Sequence, residues 1–248
     1  MHKITMIDYG GSNLRSAQKA FEFVGADLWT TADPDLIRRA DKLVLPGVGA
    51  FGAGMEAIRA LGLVEPIREA VQRGIPLLGI CIGMQLLFDE SEEMGCYQGL
   101  GFIPGRVIHL NTSIQYSVSS IQSPVLRPCS GQAPNPSTLL RTSLQSFDPA
   151  QGKPPVPSLK IPHMGWNQLE HDGSHFLLQG VVPGAYTYFV HSYHCMPDDP
   201  ASIVARTEYG RPFCAIVARE NVYGIQFHPE KSHKIGLRII QNFVEACL

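Results

Sequence analysis

Short apolar runs alternate with amphipathic stretches along the first hundred residues. The runs have the length of strands and are apolar at consecutive positions, which is typical of strands buried on both faces of a parallel sheet. The predicted strands are Lys3–Ile7, Leu28–Thr31, Lys42–Leu45 and residues 75–80. The stretches between them repeat apolar residues at helical spacing, with helices predicted near 52–60, 63–73 and 82–88. This alternation predicts an α/β fold with a central, mostly parallel sheet flanked by helices.

The final third of the chain is rich in strands and ends in a helix. The predicted strands are Tyr186–Tyr193, Ser202–Glu208, Phe213–Arg219 and Val222–Phe227. Consecutive strands with short connections predict an antiparallel part, and the apolar spacing of Ile235–Ala246 predicts the closing helix. We expect one domain over residues 1–248.

Residues 111–157 have a different composition from the rest of the chain. They hold nine serines and eight prolines, with Asp148 the single acidic residue. Such a stretch buries too little apolar surface to offset the entropy of ordering it. The sequence therefore predicts a Ser/Pro-rich surface insertion at about 111–158, partly mobile.

Composition excludes several classes of protein. The chain has 248 residues, of which 44% are hydrophobic, and its net charge is −2, so a dedicated nucleic-acid binder is disfavoured. No apolar run reaches the length of a membrane span, and the start of the chain shows no signal-peptide pattern. Six cysteines without a Cys-x-x-Cys pair favour a reduced, cytoplasmic protein.

A cysteine lies between two glycines where the fourth predicted strand meets a helix. The stretch Gly79-Ile-Cys-Ile-Gly83 has the pattern of a nucleophile elbow, with sulfur in place of the usual hydroxyl. The glycines are needed because a Cβ at either position would collide with the neighbouring strand and helix. The helix that follows directs its first N–H groups at the thiol, which favours thiolate. A buried structural cysteine on a Gly-rich turn is the alternative interpretation.

A second stretch, Gly224-Ile-Gln-Phe-His-Pro-Glu230, strengthens the catalytic interpretation. A thiol nucleophile needs a base within hydrogen-bond reach, and that base needs a third group to fix its orientation. His228 and Glu230 supply both at the end of another predicted buried strand. We therefore predict a catalytic triad of Cys81, His228 and Glu230.

The turn Pro46-Gly-Val-Gly49 follows the third predicted strand. Its glycine-bordered backbone could present N–H groups of Gly47, Val48 or Gly49 to an oxyanion, with the N–H of Ile82 as a further donor. Glycine on both sides of Val48 would let that peptide adopt either orientation at small cost. An ordinary strand-to-helix turn is the alternative for this stretch alone.

With these stretches assembled, the sequence resembles a triad-type, class I glutamine amidotransferase. Within that family it is similar to the glutaminase subunits of imidazole glycerol phosphate synthases. The stretches that carry the similarity are Asp8-Tyr-Gly-Gly-Ser-Asn-Leu-Arg-Ser16, Pro46-Gly-Val-Gly-Ala-Phe-Gly52, Gly79-Ile-Cys-Ile-Gly-Met-Gln-Leu-Leu-Phe88, Pro162-His-Met-Gly-Trp-Asn167 and Tyr188-Phe-Val-His-Ser-Tyr193. Gly99-Leu-Gly-Phe-Ile-Pro-Gly105 and Gly224-Ile-Gln-Phe-His-Pro-Glu-Lys-Ser232 support it further, so the similarity extends along the chain except for the insertion, which departs from the family. The resemblance implies a flavodoxin-like α/β fold and no cofactor or metal.

The resemblance also implies further site residues and a partner. Gln85, Glu93, Ser192 and Tyr193 would hold the glutamine. Ammonia would pass to a separate (β/α)8 cyclase subunit of imidazole glycerol phosphate synthase, forming a heterodimer. The cyclase would then make imidazole glycerol phosphate and aminoimidazole carboxamide ribotide in histidine biosynthesis. The interface residues so implied are Asn13, Trp166, Asn167, Tyr188 and Lys231. A solvated acidic face is the alternative for Glu93, and a core position is the alternative for Trp166.

Other interpretations of the triad are a glutaminase of another pathway and an α/β-hydrolase. A glutaminase for pyridoxal phosphate or anthranilate synthesis would share the triad, but the His-Met-Gly-Trp-Asn stretch disfavours it. In an α/β-hydrolase the triad residues follow the chain order nucleophile, acid, histidine, whereas here Glu230 follows His228.

Overall fold

The structure is a computed structural model that describes residues 3–10, 14–111 and 159–246 of the chain. Two sequence predictions lie outside these residues. One is the insertion at about 111–158, of which the structure describes Asn111 at one end. The other is the interface role of Asn13.

The first part of the chain alternates strands and helices, as its apolar pattern predicts. In chain order the elements are β1 (Lys3–Ile7), α1 (Leu14–Phe23), β2 (Asp27–Thr31), α2 (Pro34–Arg38), β3 (Lys42–Gly47), α3 (Phe51–Ala60), α4 (Val64–Gln72), β4 (Leu77–Cys81) and α5 (Ile82–Leu86). Local sequence signals explain where individual helices begin, and α2 is an example. Asp33 caps α2 by accepting from the N–H of Asp35, and Pro34 occupies the first helical position.

Strands dominate the second part. They are β5 (Phe88–Ser91), β6 (Tyr97–Gln98), β7 (Ile103–His109), β8 (His163–Gln168), β9 (Tyr186–His191), β10 (Tyr193–Pro197), β11 (Ile203–Glu208), β12 (Pro212–Arg219) and β13 (Val222–Ile225). A single 3₁₀ turn, Pro229–Lys231, connects β13 to the closing helix α6 (His233–Glu245).

A seven-stranded sheet organises the molecule, in the order β11-β12-β13-β4-β3-β1-β2. From β13 to β2 all neighbours are parallel, whereas β11, β12 and β13 pair antiparallel. The central strands β3 and β4 are buried at every position, which explains their continuous apolar runs. This mixed sheet confirms the predicted fold class.

Two smaller sheets cover the end of the large sheet where its parallel strands finish. One has the order β10-β7-β5-β6, and the other is the antiparallel pair of β8 and β9. The N–H of His228, just beyond β13, donates to the carbonyl of Tyr188 on β9 at 2.9 Å. The β8–β9 pair is thereby attached to the large sheet beside the predicted triad.

Two predicted elements are interrupted in the structure. The helix predicted to reach Phe88 ends at Leu86, because the carbonyl of Leu86 accepts from the N–H of Leu100 at 2.9 Å and Phe88 begins β5. The strand predicted over Tyr186–Tyr193 is two strands that separate at Ser192 and join different sheets. Both interruptions depend on backbone bonds to distant residues, which local periodicity does not report.

Lys42 fastens the last helix to the central sheet. Its side chain is 2% exposed, and its ammonium group donates to the carbonyls of Phe243 at 2.7 Å and Val244 at 2.9 Å, and to that of Ala246. A helix leaves its last carbonyls without intrahelical donors, and a cation there also complements the helix dipole. The buried lysine is therefore the C-terminal cap of α6.

We expect the Lys42→Met variant to lower the free energy of unfolding by about 2–3 kcal/mol, since buried carbonyls lose their donor. Urea unfolding of the full chain measures this. The control is Lys234→Met on the exposed face of the same helix, which should change the value by no more than about 0.5 kcal/mol. Equal changes in the two variants would contradict the capping role.

Candidate active site

Cys81 is the last residue of β4 and the first turn of α5 begins immediately after it. Its backbone has φ 55° and ψ −111°, a left-handed conformation that a residue with a Cβ adopts at a cost of about 1–3 kcal/mol. The chain reverses direction sharply at this residue, so the side chain is set at the end of the sheet rather than within it. The structure therefore has the strained turn that the Gly-x-Cys-x-Gly pattern predicts.

The glycines on either side of Cys81 are required by close backbone contacts. A Cβ at Gly79 would lie 2.6 Å from the carbonyl oxygen of Gly83, and one at Gly83 would overlap the carbonyl of Leu45 on β3. In the parallel pairing of β3 with β4, Gly47 lies opposite Cys81. The elbow is thus held between its own helix and the neighbouring strand.

His228 and Glu230 reach the same place from β13, which pairs with β4 on the other side. Nδ1 of His228 lies 2.9 Å from Oε1 of Glu230, and both side chains are 4% exposed. Because a carboxylate can only accept, Nδ1 carries a proton and Nε2 faces the thiol. The structure brings all three predicted triad residues together.

Two opposing effects act on the pKa of His228. Burial lowers the pKa. Hydrogen bonds to Cys81 and Glu230, and the negative charges of these two groups, raise the pKa by a larger amount, to about 10. The imidazole is therefore protonated at neutral pH and paired with the thiol on one side and the carboxylate on the other. A thiol held beside an imidazolium is placed to act as a thiolate nucleophile with an adjacent acid.

Two other cysteines of the described residues, Cys195 and Cys214, lie in the core. Burial raises the pKa of Cys195 well above its usual value, and burial raises that of Cys214 to about 12. Both remain neutral thiols at neutral pH and neither lines the pocket described next. Their properties are those of inert structural cysteines.

A pocket of about 370 Å³ lies over the thiol. It is lined by ten residues that the sequence or the resemblance singled out, namely Val48, Gly49, Cys81, Ile82, Gln85, Glu93, Ser192, Tyr193, His228 and Lys231. Gly47 and Glu230 do not line it: Gly47 lies opposite Cys81 on the neighbouring strand, and Glu230 is hydrogen-bonded to His228. Pro162, Val190 and His191 complete the wall and were not predicted.

The four residues expected to hold a substrate have distinct contacts. Gln85 donates from Nε2 to the carbonyl of Tyr193 at 3.1 Å, while its buried Oε1 has no partner among the described residues. Glu93 accepts from the N–H of Phe51 at 2.6 Å, where α3 begins without a side-chain cap of its own. Ser192 separates β9 from β10 at the rim. Glu93 is therefore a wall residue rather than part of a solvated face.

The predicted interface residues divide into two groups. Trp166 is 45% exposed, stacks on His233 with ring centroids 5.0 Å apart, and lies beside Tyr188. Lys231 lies over the Tyr188 ring, 5.8 Å from its centroid, and also lines the pocket. We call Trp166, Tyr188, Lys231 and His233 the aromatic cluster.

Asn167 does not belong to the aromatic cluster. Its side chain donates to the carbonyl of Glu208 at 2.7 Å and contacts His163 at 3.2 Å, inside the chain. Successive residues of a strand face opposite sides, so Trp166 and Asn167 cannot both face outward on β8. A direct partner contact by the Asn167 side chain is therefore disfavoured.

Sequence reasoning missed two polar residues next to Cys81. Gln226 is completely buried and its Nε2 lies 3.9 Å from Cys81 Sγ. The Tyr9 hydroxyl is buried against Gly47 without a partner among the described residues, and burial and the charge of Cys81 raise its pKa. A polar amide in the otherwise apolar run Val222–Phe227 was the available signal for Gln226.

The described residues lack two other kinds of feature. None of their groups of His, Cys, Asp and Glu is arranged to hold a metal ion. None of their helices is long and apolar enough to cross a membrane.

Comparison with known proteins agrees with this geometry. The chain is 45% identical over 240 residues to "Imidazole glycerol phosphate synthase subunit HisH" of Syntrophotalea carbinolica, covering 97% of this chain and 98% of the relative. The protein of the same name from Geobacter sulfurreducens is 42% identical over 245 residues, covering 99% of each.

Solved structures of low sequence identity share the fold. The structure of PurLQS from Thermotoga maritima matches with a TM-score of 0.64 at 19% identity, covering 98% of this chain and 97% of that one. A crystal structure of a glutamine amidotransferase matches with a TM-score of 0.60 at 14% identity, covering 96% of this chain and 98% of that one. The family model for class-I glutamine amidotransferases matches residues 5–247. The chain belongs to the class-I glutamine amidotransferase family.

Proposed function

We propose that this chain hydrolyses the side-chain amide of glutamine and passes the ammonia to a cyclase partner, as a subunit of imidazole glycerol phosphate synthase. The observation that carries the proposal is the pairing of Cys81 with His228, itself held by Glu230, at the floor of a pocket. The names of relatives that are 42–45% identical over nearly the full length support the pathway. A cytoplasmic location stays a prediction from the sequence; a reducing compartment would protect the Cys81 thiol from oxidation.

The first half of the reaction uses the thiolate as nucleophile and the imidazolium as acid. Cys81 Sγ attacks the amide carbon, and the negative oxygen that forms is stabilised by backbone N–H groups of Ile82 and of the turn at Gly47–Gly49. His228 then donates its proton to the nitrogen as the carbon–nitrogen bond breaks. Ammonia leaves and a glutamyl thioester remains on Cys81.

The second half uses the same imidazole as a base. Once sulfur is acylated it carries no charge, so one of the groups that raises the pKa of His228 is lost. The neutral ring removes a proton from water, which attacks the thioester carbon and releases glutamate. The proton of the attacking water restores the imidazolium, and Cys81 leaves as thiolate.

The pocket wall supplies groups suited to the amino-acid end of glutamine. The buried Oε1 of Gln85 lacks a donor among the described residues, and because Gln85 lines the pocket, a substrate α-ammonium group would supply that donor. The carboxylate of Glu93 adds negative charge on the same wall. We assign Gln85 and Glu93 to the ammonium group and the rim residues Ser192 and Tyr193 to the substrate backbone.

The aromatic cluster marks where the cyclase would dock. Lys231 belongs both to the catalytic pocket and to this cluster, so the pocket lies next to an exposed aromatic surface. Trp is enriched among the residues that dominate protein–protein binding energy. Free ammonia becomes protonated in water and loses its nucleophilicity, so a partner seated here would protect it during transfer.

The turn at Gly47–Gly49 offers a means of restraining the enzyme until the partner is loaded. Gly49 has φ 99°, and Val48 and Gly49 line the pocket. A peptide flanked by glycine can turn its N–H or its C=O toward the oxyanion at small cost. A misdirected donor lowers the rate by about 10²–10³-fold, so contacts that favour one orientation would switch the activity.

We expect the isolated chain to be a slow glutaminase that the cyclase subunit and its nucleotide ligand accelerate by about 10²-fold or more. Ammonia or glutamate release at saturating glutamine measures this. Cys81→Ala should abolish turnover in both conditions. Trp166→Ala should lose the stimulation while keeping the slow rate of the isolated chain.

Two outcomes would count against separate parts of this proposal. Equal rates with and without the cyclase would contradict the restraint at the Gly47–Gly49 turn but not the triad. Turnover by Cys81→Ala would contradict the assignment of the nucleophile.

We expect the His228 ring to stay protonated up to about pH 10, since Cys81 and Glu230 raise its pKa above the usual 6.5. The raised pKa stabilises the fold fully below about pH 6.5, and this stabilisation is lost as the pH rises through about 10. NMR titration of the ring gives the midpoint.

In Cys81→Ala the titration midpoint should fall, because one source of the raised pKa is gone. Cys214→Ala removes a buried thiol elsewhere in the core and should leave the midpoint unchanged. A wild-type midpoint near 6.5 would show that the thiolate–imidazolium pair does not form.

A further inference from the structure

The side-chain amide of Gln226 is buried, and the reaction proposed above assigns no role to it. It follows β13, and its backbone N–H donates to the carbonyl of Ala215 at 2.9 Å. Its side chain is 0% exposed. An amide buried in an apolar strand costs free energy unless its hydrogen bonds are made, so its partners are informative.

The orientation of this amide is determined by a backbone group. The carbonyl of Tyr193 can only accept, so the atom of Gln85 that lies 3.1 Å from it is the NH₂ group. The same NH₂ group donates at 3.1 Å to Oε1 of Gln226. The NH₂ group of Gln226 is thereby left facing Cys81 Sγ, at 3.9 Å.

A fixed N–H donor beside sulfur favours the charged form of the nucleophile. The group lies in a buried environment, where a dipole directed at an anion acts more strongly than in water. It also restricts where Sγ can lie, independently of His228. The amide is therefore placed to hold the thiolate in line with the pocket.

The same chain of amides connects the nucleophile to the substrate pocket. Gln85 Oε1, the far end of that chain, has no partner among the described residues, and Gln85 is one of the residues that line the pocket. A donor arriving there would polarise Gln85, and through it Gln226, because hydrogen bonds in a chain strengthen one another. Occupation of the pocket and stabilisation of the thiolate are thus coupled through the side chains of Gln85 and Gln226.

We propose that Gln226 is a positioning residue for the nucleophile: its amide donates to Cys81 Sγ and is itself oriented by Gln85. This inference rests on the proposed function, since it gives Gln226 a part in the same reaction. Gln226 then acts on the sulfur of Cys81 together with the two groups described above, the His228 ring and the backbone of the elbow.

Two substitutions at Gln226 test the proposal. Gln226→Met keeps a similar length without an N–H, and Gln226→Glu keeps the shape but sets a carboxylate oxygen against sulfur. The rate of Cys81 alkylation by iodoacetamide is measured on the full chain from about pH 5 to about pH 10. The glutaminase kcat and KM are measured in the presence of the cyclase subunit and its nucleotide ligand.

We expect both variants to shift the pH midpoint of alkylation upward, Gln226→Glu more than Gln226→Met. A shift of about one pH unit corresponds to about tenfold less thiolate at a pH well below the midpoint, and kcat should fall by at least this factor with a smaller change in KM. Thr187→Val, which removes a completely buried hydroxyl outside the pocket, is the control and should leave the midpoint unchanged.

A measurement on the unsubstituted side chain covers the case in which the variants do not fold. The NMR signals of the Gln226 NH₂ group should titrate with the alkylation midpoint and lose that titration in Cys81→Ala. Unchanged midpoints and kcat in the variants, or Gln226 signals that do not follow Cys81, would overturn the proposal. A wild-type chain without glutaminase activity would instead overturn the proposed function, so the two failures are distinguishable.

Discussion

The close approach of β3, β4 and α5 is the constraint on which the site depends. Glycines at 79 and 83 let the backbone of the elbow contact itself and the carbonyl of Leu45 at distances that no side chain would permit. The strained conformation of Cys81 persists because the buried strands on either side of it hold the turn in place. The large sheet therefore determines where the thiol points before any catalytic residue contacts it.

The charge distribution around the thiol follows from the same sheet. β13 lies beside β4, so the chain beyond it carries Gln226, His228 and Glu230 to the sulfur in a few residues. Burial alone would lower the pKa of His228, and the opposite shift shows that the two acidic partners dominate. The short segment after β13 thus supplies the base, its orienting carboxylate and the amide that we propose as a further donor.

Much of the fold and the triad could be predicted from local sequence because each has a local cause. Continuous apolar runs reflect burial on both faces, and the glycines around Cys81 reflect contacts within the elbow. The separation at Ser192 and the end of α5 at Leu86 depend on bonds to Leu110 and Leu100, which are distant in sequence. Gln226 was missed for the same reason, since its contact with Cys81 joins residues 145 positions apart.

The covalent intermediate gives the most direct test of the account. Wild-type chain is mixed with glutamine in the presence of the cyclase subunit and its ligand, quenched in acid within a turnover, digested, and analysed by peptide mass spectrometry. We expect a glutamyl thioester on the peptide that contains Cys81, and no such adduct in Cys81→Ala. A glutamyl adduct on another cysteine, or glutamine turnover with no adduct at any time during the steady state, would contradict it.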